Sequence, residues 1–246
     1  MIPFVITFLA GCSTLIGYLF VYFKGNHKNI LVSSLSFASG VMVMISISDL
    51  LPSSFSCINT TYYVVPTFLI CSIFTTVGVI ISMMIDKYLP DNSYQDGKLF
   101  RVGMISMIAI ILHNIPEGIA TFLTSNHNLK LGITLAIALA LHNIPEGISV
   151  SVPIDYSTGS KKKAFFYTLV SGMSEFLGAI FAFLFLSKFN SEIFMGCLYA
   201  IIAGIMMHIS VYELLPTSLR YKENSKTIIF FLVGVLFMYI SSLLLH

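Results

Sequence analysis

Two identical words, LHNIPEGI, occupy positions 112–119 and 141–148, each inside a long apolar run. Each word carries a histidine, an asparagine, a proline and a glutamate. On a helix each residue advances by about 100°, so with His113 at zero, Asn114 falls near ~100° and Glu117 near ~40°. The glutamate therefore lies between the imidazole and the amide on one helical face. His142, Asn143 and Glu146 repeat that arrangement. Two such helices facing each other would bring together two imidazoles, two amide oxygens and two carboxylates. That inventory suits a divalent transition metal, because imidazole and carboxylate bind Zn²⁺ closely and imidazole also accepts iron, copper and nickel. The spacing suggests two adjacent ions bridged by the glutamates, one on the histidine side and one on the asparagine side.

Proline accounts for the rest of the word. Pro116 cannot donate to the carbonyl of Leu112, nor Pro145 to that of Leu141, which frees an oxygen and favours a bend. A freed carbonyl at membrane depth is tolerated where it lines a cavity or finds a partner. The plainer reading is a pair of kinked helices glued by polar contacts. Against it stands the cost of burying His and Glu in a bilayer, which makes such residues functional as a rule, and here they come in duplicate.

The elements that position these words are membrane spans. The chain has 246 residues, of which 57% are hydrophobic and 10% charged, and its mean hydropathy is +0.91. A soluble domain carries about 25% charged residues, so an integral membrane protein is expected. A net charge of +2 gives no reason to expect nucleic acid as a partner. The four cysteines, Cys12, Cys57, Cys71 and Cys197, form no C-x-x-C pair and read as packing residues. The opening MIPFVITFLAGC lacks a basic n-region and reads as a first span, not a cleaved signal. A span needs about 20 mostly apolar residues, and eight such stretches lie near 3–23, 31–51, 64–85, 102–124, 131–154, 164–186, 193–215 and 227–245.

Eight spans put both termini on one side, and the basic residues choose which. Of 13 lysines and arginines, only Lys130 and Lys188 fall in the even-numbered connections. The other eleven, including the run Lys161 to Lys163, fall in the odd-numbered ones. By the positive-inside rule the odd connections are cytoplasmic and both termini lie outside the cytoplasm.

The chain also resembles itself. GVMVMISISDLLPSS (40–54) aligns without gaps to GIMMHISVYELLPTS (204–218), and GCSTLIG (11–17) aligns to GMSEFLG (172–178). VGV recurs at 77–79 and 233–235. The paired segments cross the membrane in opposite directions. The plan is a single membrane domain of eight α-helices in a 3+2+3 inverted repeat: about 1–88, a central pair at about 101–154, and about 163–246. Inverted repeats are a recurring design of secondary transporters, with the substrate site at mid-membrane between the repeats.

Further polar residues join the inventory. Glu175 lies mid-span where its repeat partner is Thr14, and reads as a further ligand or an interhelical hydrogen bond. Asp49 and its partner Glu213 fall near opposite faces and suit an entrance and an exit, or an interfacial structural role. Met42 is a candidate soft ligand or a packing residue, and His208, the counterpart of Met44, a candidate exit ligand or a structural histidine. His27 and His127 fall in short connections and read as solvated.

Tandem HNIPEG words, eight spans and the inverted repeat resemble the ZIP metal transporters, in particular their bacterial ZupT-like branch. The resemblance covers nearly the whole chain. It implies a binuclear site halfway along the path. His113, Glu117, His142 and Glu146 would hold one ion with Met42, while Asn114, Asn143, the same glutamates and Glu175 would hold the other. It further implies uptake of zinc, and of iron, manganese, cobalt or cadmium, into the cytoplasm through a cell membrane, inner or plasma. The movement would be elevator-like, with no prosthetic group, and a homodimer is compatible with the family. Many animal and plant members write the second word as H-E-x-x-H-E. The amide here makes the second site less negative, which argues against narrow selectivity for zinc. The connection DKYLPDNSYQDGKLFR lacks the histidine clusters of some members, leaving Asp91 and Asp96 as weak ligands at most. An intramembrane metalloprotease would need a constellation such as H-E-x-x-H with an open water position, and none is present. A channel built on the same residues stays open at this level. No phosphate loop or ATPase motif supports direct ATP drive.

Overall fold

A computed structural model describes residues 1–23, 27–88, 97–185 and 192–245. Lys24, Asp91, Asp96 and Lys188, counted or weighed above, lie outside these residues, and of His27 only the backbone is described. Among the described residues every regular element is helical, with no strand. In hydrocarbon each backbone N–H and C=O must be satisfied within its own segment, so an apolar chain of this kind has helices as its natural answer.

Among the described residues eight helices are long and apolar enough to cross a membrane: spans one to eight are Ile2–Tyr22, Lys28–Asn59, Val64–Tyr88, Gly97–His127, Leu129–Thr158, Lys161–Phe185, Glu192–Leu219 and Asn224–Leu243. Spans four and five form a tight antiparallel hairpin. The Asn128 side chain accepts from the amides of Lys130 and Leu131 to start span five, and Gly159, at φ 64°, ends it in the left-handed conformation that glycine adopts without strain.

Spans two and seven run further than the hydropathy suggested. The apolar runs end near 51 and 215, just before Pro52 and Pro216, yet both helices continue through the prolines. Each proline is preceded by a π-helical turn, Ser46–Leu50 and Ile209–Leu214. Leu51 N–H reaches back to the Ser46 carbonyl, and Leu215 N–H to that of Ser210. The wider turn shifts the hydrogen-bond register by one residue, so the missing proline N–H no longer ends the helix.

The helices pack in two groups. Spans one, four, five and six contact one another, while span two packs against eight, span three against seven, and two against seven. Spans three and eight are the least covered: 17% and 22% of their most apolar windows are buried, against 67% for spans two and four. Their outer faces carry Phe68, Leu69, Ile73, Leu232 and Leu236, as a lipid-facing surface requires. Hydroxyls there are hidden by bonding back into their own helix, as with Ser72 to the Phe68 carbonyl and Thr76 to that of Ser72.

Glycines set how closely the pairs approach. A β-carbon at Gly40 would collide with the Phe231 carbonyl of span eight, and one at Gly204 with the Thr75 carbonyl of span three. Gly234 and Gly78 are closed in the same way by Phe37 and Ile201. Small residues at such crossings replace hydrophobic driving force with van der Waals contact. At one membrane face Lys28 Nζ donates to Glu223 Oε1 at 3.0 Å, and Lys226 Nζ donates to Asn29 Oδ1 at 2.8 Å, tying the ends of spans two and eight. The Lys28 hydrogen bond and the Lys226 charge hold the Glu223 carboxyl below the usual carboxylate range.

Gly40→Ala and Gly204→Ala are each expected to destabilise the fold by about 1–3 kcal/mol through overpacking. Thermal unfolding in detergent should show a lower midpoint for both. Ser72→Ala, whose hydroxyl bonds only its own helix, should leave it unchanged.

Candidate metal centre

The two LHNIPEGI words lie opposite each other in spans four and five, and both helices run unbroken through Pro116 and Pro145. Each proline therefore removes one intrahelical bond without ending its helix. His113, Asn114, His142, Asn143 and Glu146 are at most 1% exposed, and Glu117 is 7% exposed. The centre is deeply buried.

Glu117 sits between the two rings. Its Oε1 lies 2.9 Å from His142 Nε2, which donates to it, and 2.9 Å from His113 Nε2, which is not aligned for a hydrogen bond. Glu146 Oε1 approaches His113 Nε2 at 3.5 Å from the facing helix. Ligand atoms of His113, Glu117 and His142 all fall within 4.8 Å of one another, a spacing one ion can span.

The asparagines are turned so that their oxygens are left over. Asn114 Nδ2 donates to the Ser171 carbonyl at 3.1 Å, and Asn143 Nδ2 donates to the Ala10 carbonyl at 3.0 Å. A carbonyl can only accept, so the nitrogen must face it, and Oδ1 points elsewhere. Ala10 and Ser171 stand one residue before the aligned segments GCSTLIG and GMSEFLG, so both amides are anchored at matching positions of spans one and six. Asn143 Nδ2 also donates to Glu175 Oε2 at 2.9 Å, which brings the span-six acid into the cluster. Close packing makes these anchors reachable. A β-carbon at Gly118 would strike the Glu175 carbonyl, and one at Gly147 the Thr14 carbonyl.

After these bonds, Asn114 Oδ1, Asn143 Oδ1, Glu117 Oε2, both Glu146 oxygens and Glu175 Oε1 remain without a hydrogen-bond partner. His113 Nδ1 and His142 Nδ1 are in the same position. Unpaired buried carboxylates cost several kcal/mol each unless a cation or hydrogen bond answers them. Oxygen and nitrogen donors concentrated in this way are the coordination set of a borderline metal ion.

The other sequence candidates lie on spans two and seven. Met42 is fully buried in an apolar core with Ile205, Met206, Ala109 of span four and Ile148 of span five. Asp49 lies in the π turn of span two, accepts from Ser53 Oγ at 3.3 Å, and is within electrostatic reach of His113. Glu213 occupies the corresponding π turn of span seven, within reach of Asp86, Arg101 and Arg220. His208 bonds Ser82 Oγ through Nδ1 at 2.9 Å and stacks on Tyr212 at 4.9 Å. The π turns and the backbone anchors escaped the sequence reading. The LLP repeats at 50–52 and 214–216 were the available signal for the turns, and the shared spacing of Ala10 and Ser171 the signal for the anchors.

The family model for the ZIP zinc transporters matches residues 90–242. This chain is a member of the ZIP zinc transporter family. The zinc transporter ZupT of Clostridium perfringens is 37% identical over 99% of this chain and 96% of its own length. The ZupT of Streptococcus mutans is 38% identical over 98% and 96%, and that of Salmonella heidelberg 36% over 100% and 98%. As a ZIP protein the chain is a multi-pass membrane transporter of metal ions and not an enzyme.

Protons compete with the metal for both imidazoles, so binding to this ZIP chain is expected to weaken as pH falls. Cd²⁺ titrations of the purified protein at pH 5, 6.5 and 8 should show affinity rising with pH. Equal affinity at all three would contradict ligation by His113 and His142.

Proposed function

We propose that the chain carries zinc, and also iron, manganese, cobalt and cadmium, into the cytoplasm through a binuclear mid-membrane site. The observation that carries this reading is the set of buried oxygens left unpaired on Asn114, Asn143, Glu117, Glu146 and Glu175 around two histidines. One ion is held by His113, Glu117, His142 and Glu146, with Met42 as a soft ligand reached from span two. The second is held by Asn114, Asn143, the bridging glutamates and Glu175. Zinc is named for the related ZupT proteins. The wider range follows from the mixed nitrogen and oxygen donors and from amides in place of acids, since oxygen-rich sites accept harder cations too.

Ions enter past Asp49 and leave past Glu213 and His208. Asp49 lies in the π turn of span two, the helix that packs against span five and its metal ligands. The matched glycine crossings, Gly40 with Gly204 and Gly78 with Gly234, support the 3+2+3 inverted repeat within one membrane domain. The two helix groups support an elevator-like step. Spans one, four, five and six carry every proposed ligand except Met42 and move as a unit against spans two, three, seven and eight. The basic residues put both termini outside the cytoplasm, in the cell membrane. Exposed spans three and eight leave room for a homodimer.

Proteoliposomes holding the wild-type protein are expected to take up Zn²⁺ and Cd²⁺ saturably, and Glu117→Ala to abolish the flux. Uptake that persists in Glu117→Ala would overturn the site. Calorimetric titration should find two Zn²⁺ per wild-type chain. Glu175→Gln, which keeps the shape and removes one charge, should weaken the second ion by about 10- to 100-fold and spare the first. Equal weakening of both ions would contradict the division of ligands.

A further inference from the structure

The seam between the two helix groups opens sideways as a groove of about 590 Å³, well within the size range of small-molecule sites. Phe20 of span one, Phe37 of span two, and Phe230 and Val233 of span eight form its walls, with Ile148 of span five at its floor. Ile148 closes the second LHNIPEGI word and stands two residues from Glu146, so whatever fills the groove touches the helix that carries the metal ligands. The walls lie within membrane spans, and the solvent there is hydrocarbon. A void in this position forfeits dispersion contacts that an acyl chain restores.

One end of the groove differs in chemistry. Asn29 and Ser33 line it there, and Asn29 Oδ1 accepts from Lys226 Nζ at 2.8 Å. Lys226 and Lys28 approach Glu223 at 3.6 and 3.0 Å, so two lysines gather around this acid at the rim. An apolar slot ending in amide, hydroxyl and cationic groups at a membrane face matches a phospholipid with an anionic headgroup, since basic residues near the surface attract such lipids. The aligned positions of the second repeat are Ile193 and Cys197, so the polar end has no counterpart on the opposite face.

We propose that an anionic phospholipid occupies this groove, its acyl chain between spans two and eight on one side and spans one and five on the other, its phosphate at Lys226 and Asn29. Its binding is independent of the transport reading. Its consequence, that it braces the two helix groups and alters the rate at which they move, rests on that reading.

The test is native mass spectrometry of the purified full chain offered equal phosphatidylglycerol and phosphatidylcholine. The wild type is expected to retain one phosphatidylglycerol per chain, about tenfold over phosphatidylcholine. Val233→Trp and Ser33→Phe, which fill the groove from different helices, should lose the retained lipid while still binding Zn²⁺ at wild-type stoichiometry. Lys226→Gln should keep a lipid but lose the preference for phosphatidylglycerol. Retention unchanged in both filled variants, or no preference in the wild type, would overturn the site. In liposomes, Zn²⁺ flux should change severalfold between phosphatidylcholine alone and a mixture with phosphatidylglycerol for the wild type, and not for the filled variants. Lipid retained with flux indifferent to composition would overturn the bracing role alone.

Discussion

The interaction on which the rest of the structure depends is the meeting of Glu117, Glu146 and Glu175 in a place that should exclude charge. These acids sit in a helix bundle shielded from water, and their oxygens are only partly answered by protein groups. An arrangement of this kind is costly in the absence of a cation, and its cost is what gives a passing ion a reason to stop. A fully satisfied network would make a stable core and a poor transport site. On the proposed reading the leftover oxygens and nitrogens are the functional feature, and the surrounding helices hold them in register while leaving them unpaired.

That holding is done by backbone. Asn114 and Asn143 are oriented by carbonyls of Ser171 and Ala10, groups that neither titrate nor change rotamer. Such anchors work only if the helices approach closely, which Gly118, Gly147, Gly17 and Gly178 permit by presenting no side chain at the crossings. A larger residue at any of them would push spans one or six away from the central pair. The donors of Asn114 and Asn143 would then lose their acceptors, and the amide oxygens their aim.

Much of this was legible in the sequence, for identifiable reasons. Eight apolar runs of span length are hard to hide, and the duplicated word put His113, Asn114 and Glu117 on one face through helical geometry alone. The acid at Glu175 stood out because its repeat partner, Thr14, is neutral. Other features left no such trace. The ends expected near 51 and 215 fall short of the helices, because hydropathy does not reveal a π turn that carries a helix through Pro52 and Pro216. The carbonyls of Ala10 and Ser171 carry no side-chain signal at all. Met42 is legible only as a pair of alternatives, since a buried methionine in an apolar core serves equally as a soft ligand or a packing residue.

The π turns link the path to the fold. Asp49 and Glu213 each sit inside one, three residues before Pro52 and Pro216 respectively. A regular helix there would present each acid about 100° away from its neighbours' directions for every residue of register. The inserted residue resets that angle and leaves local carbonyls less regularly bonded, which is why such bulges recur at functional positions. Both lie on spans two and seven, the helices that face spans four and five across the seam between the two groups. On the proposed elevator-like reading, these acids belong to the frame past which the site-bearing helices slide, and stations of unequal affinity along that path let an ion move on, since one bound equally well at every point would have no reason to leave.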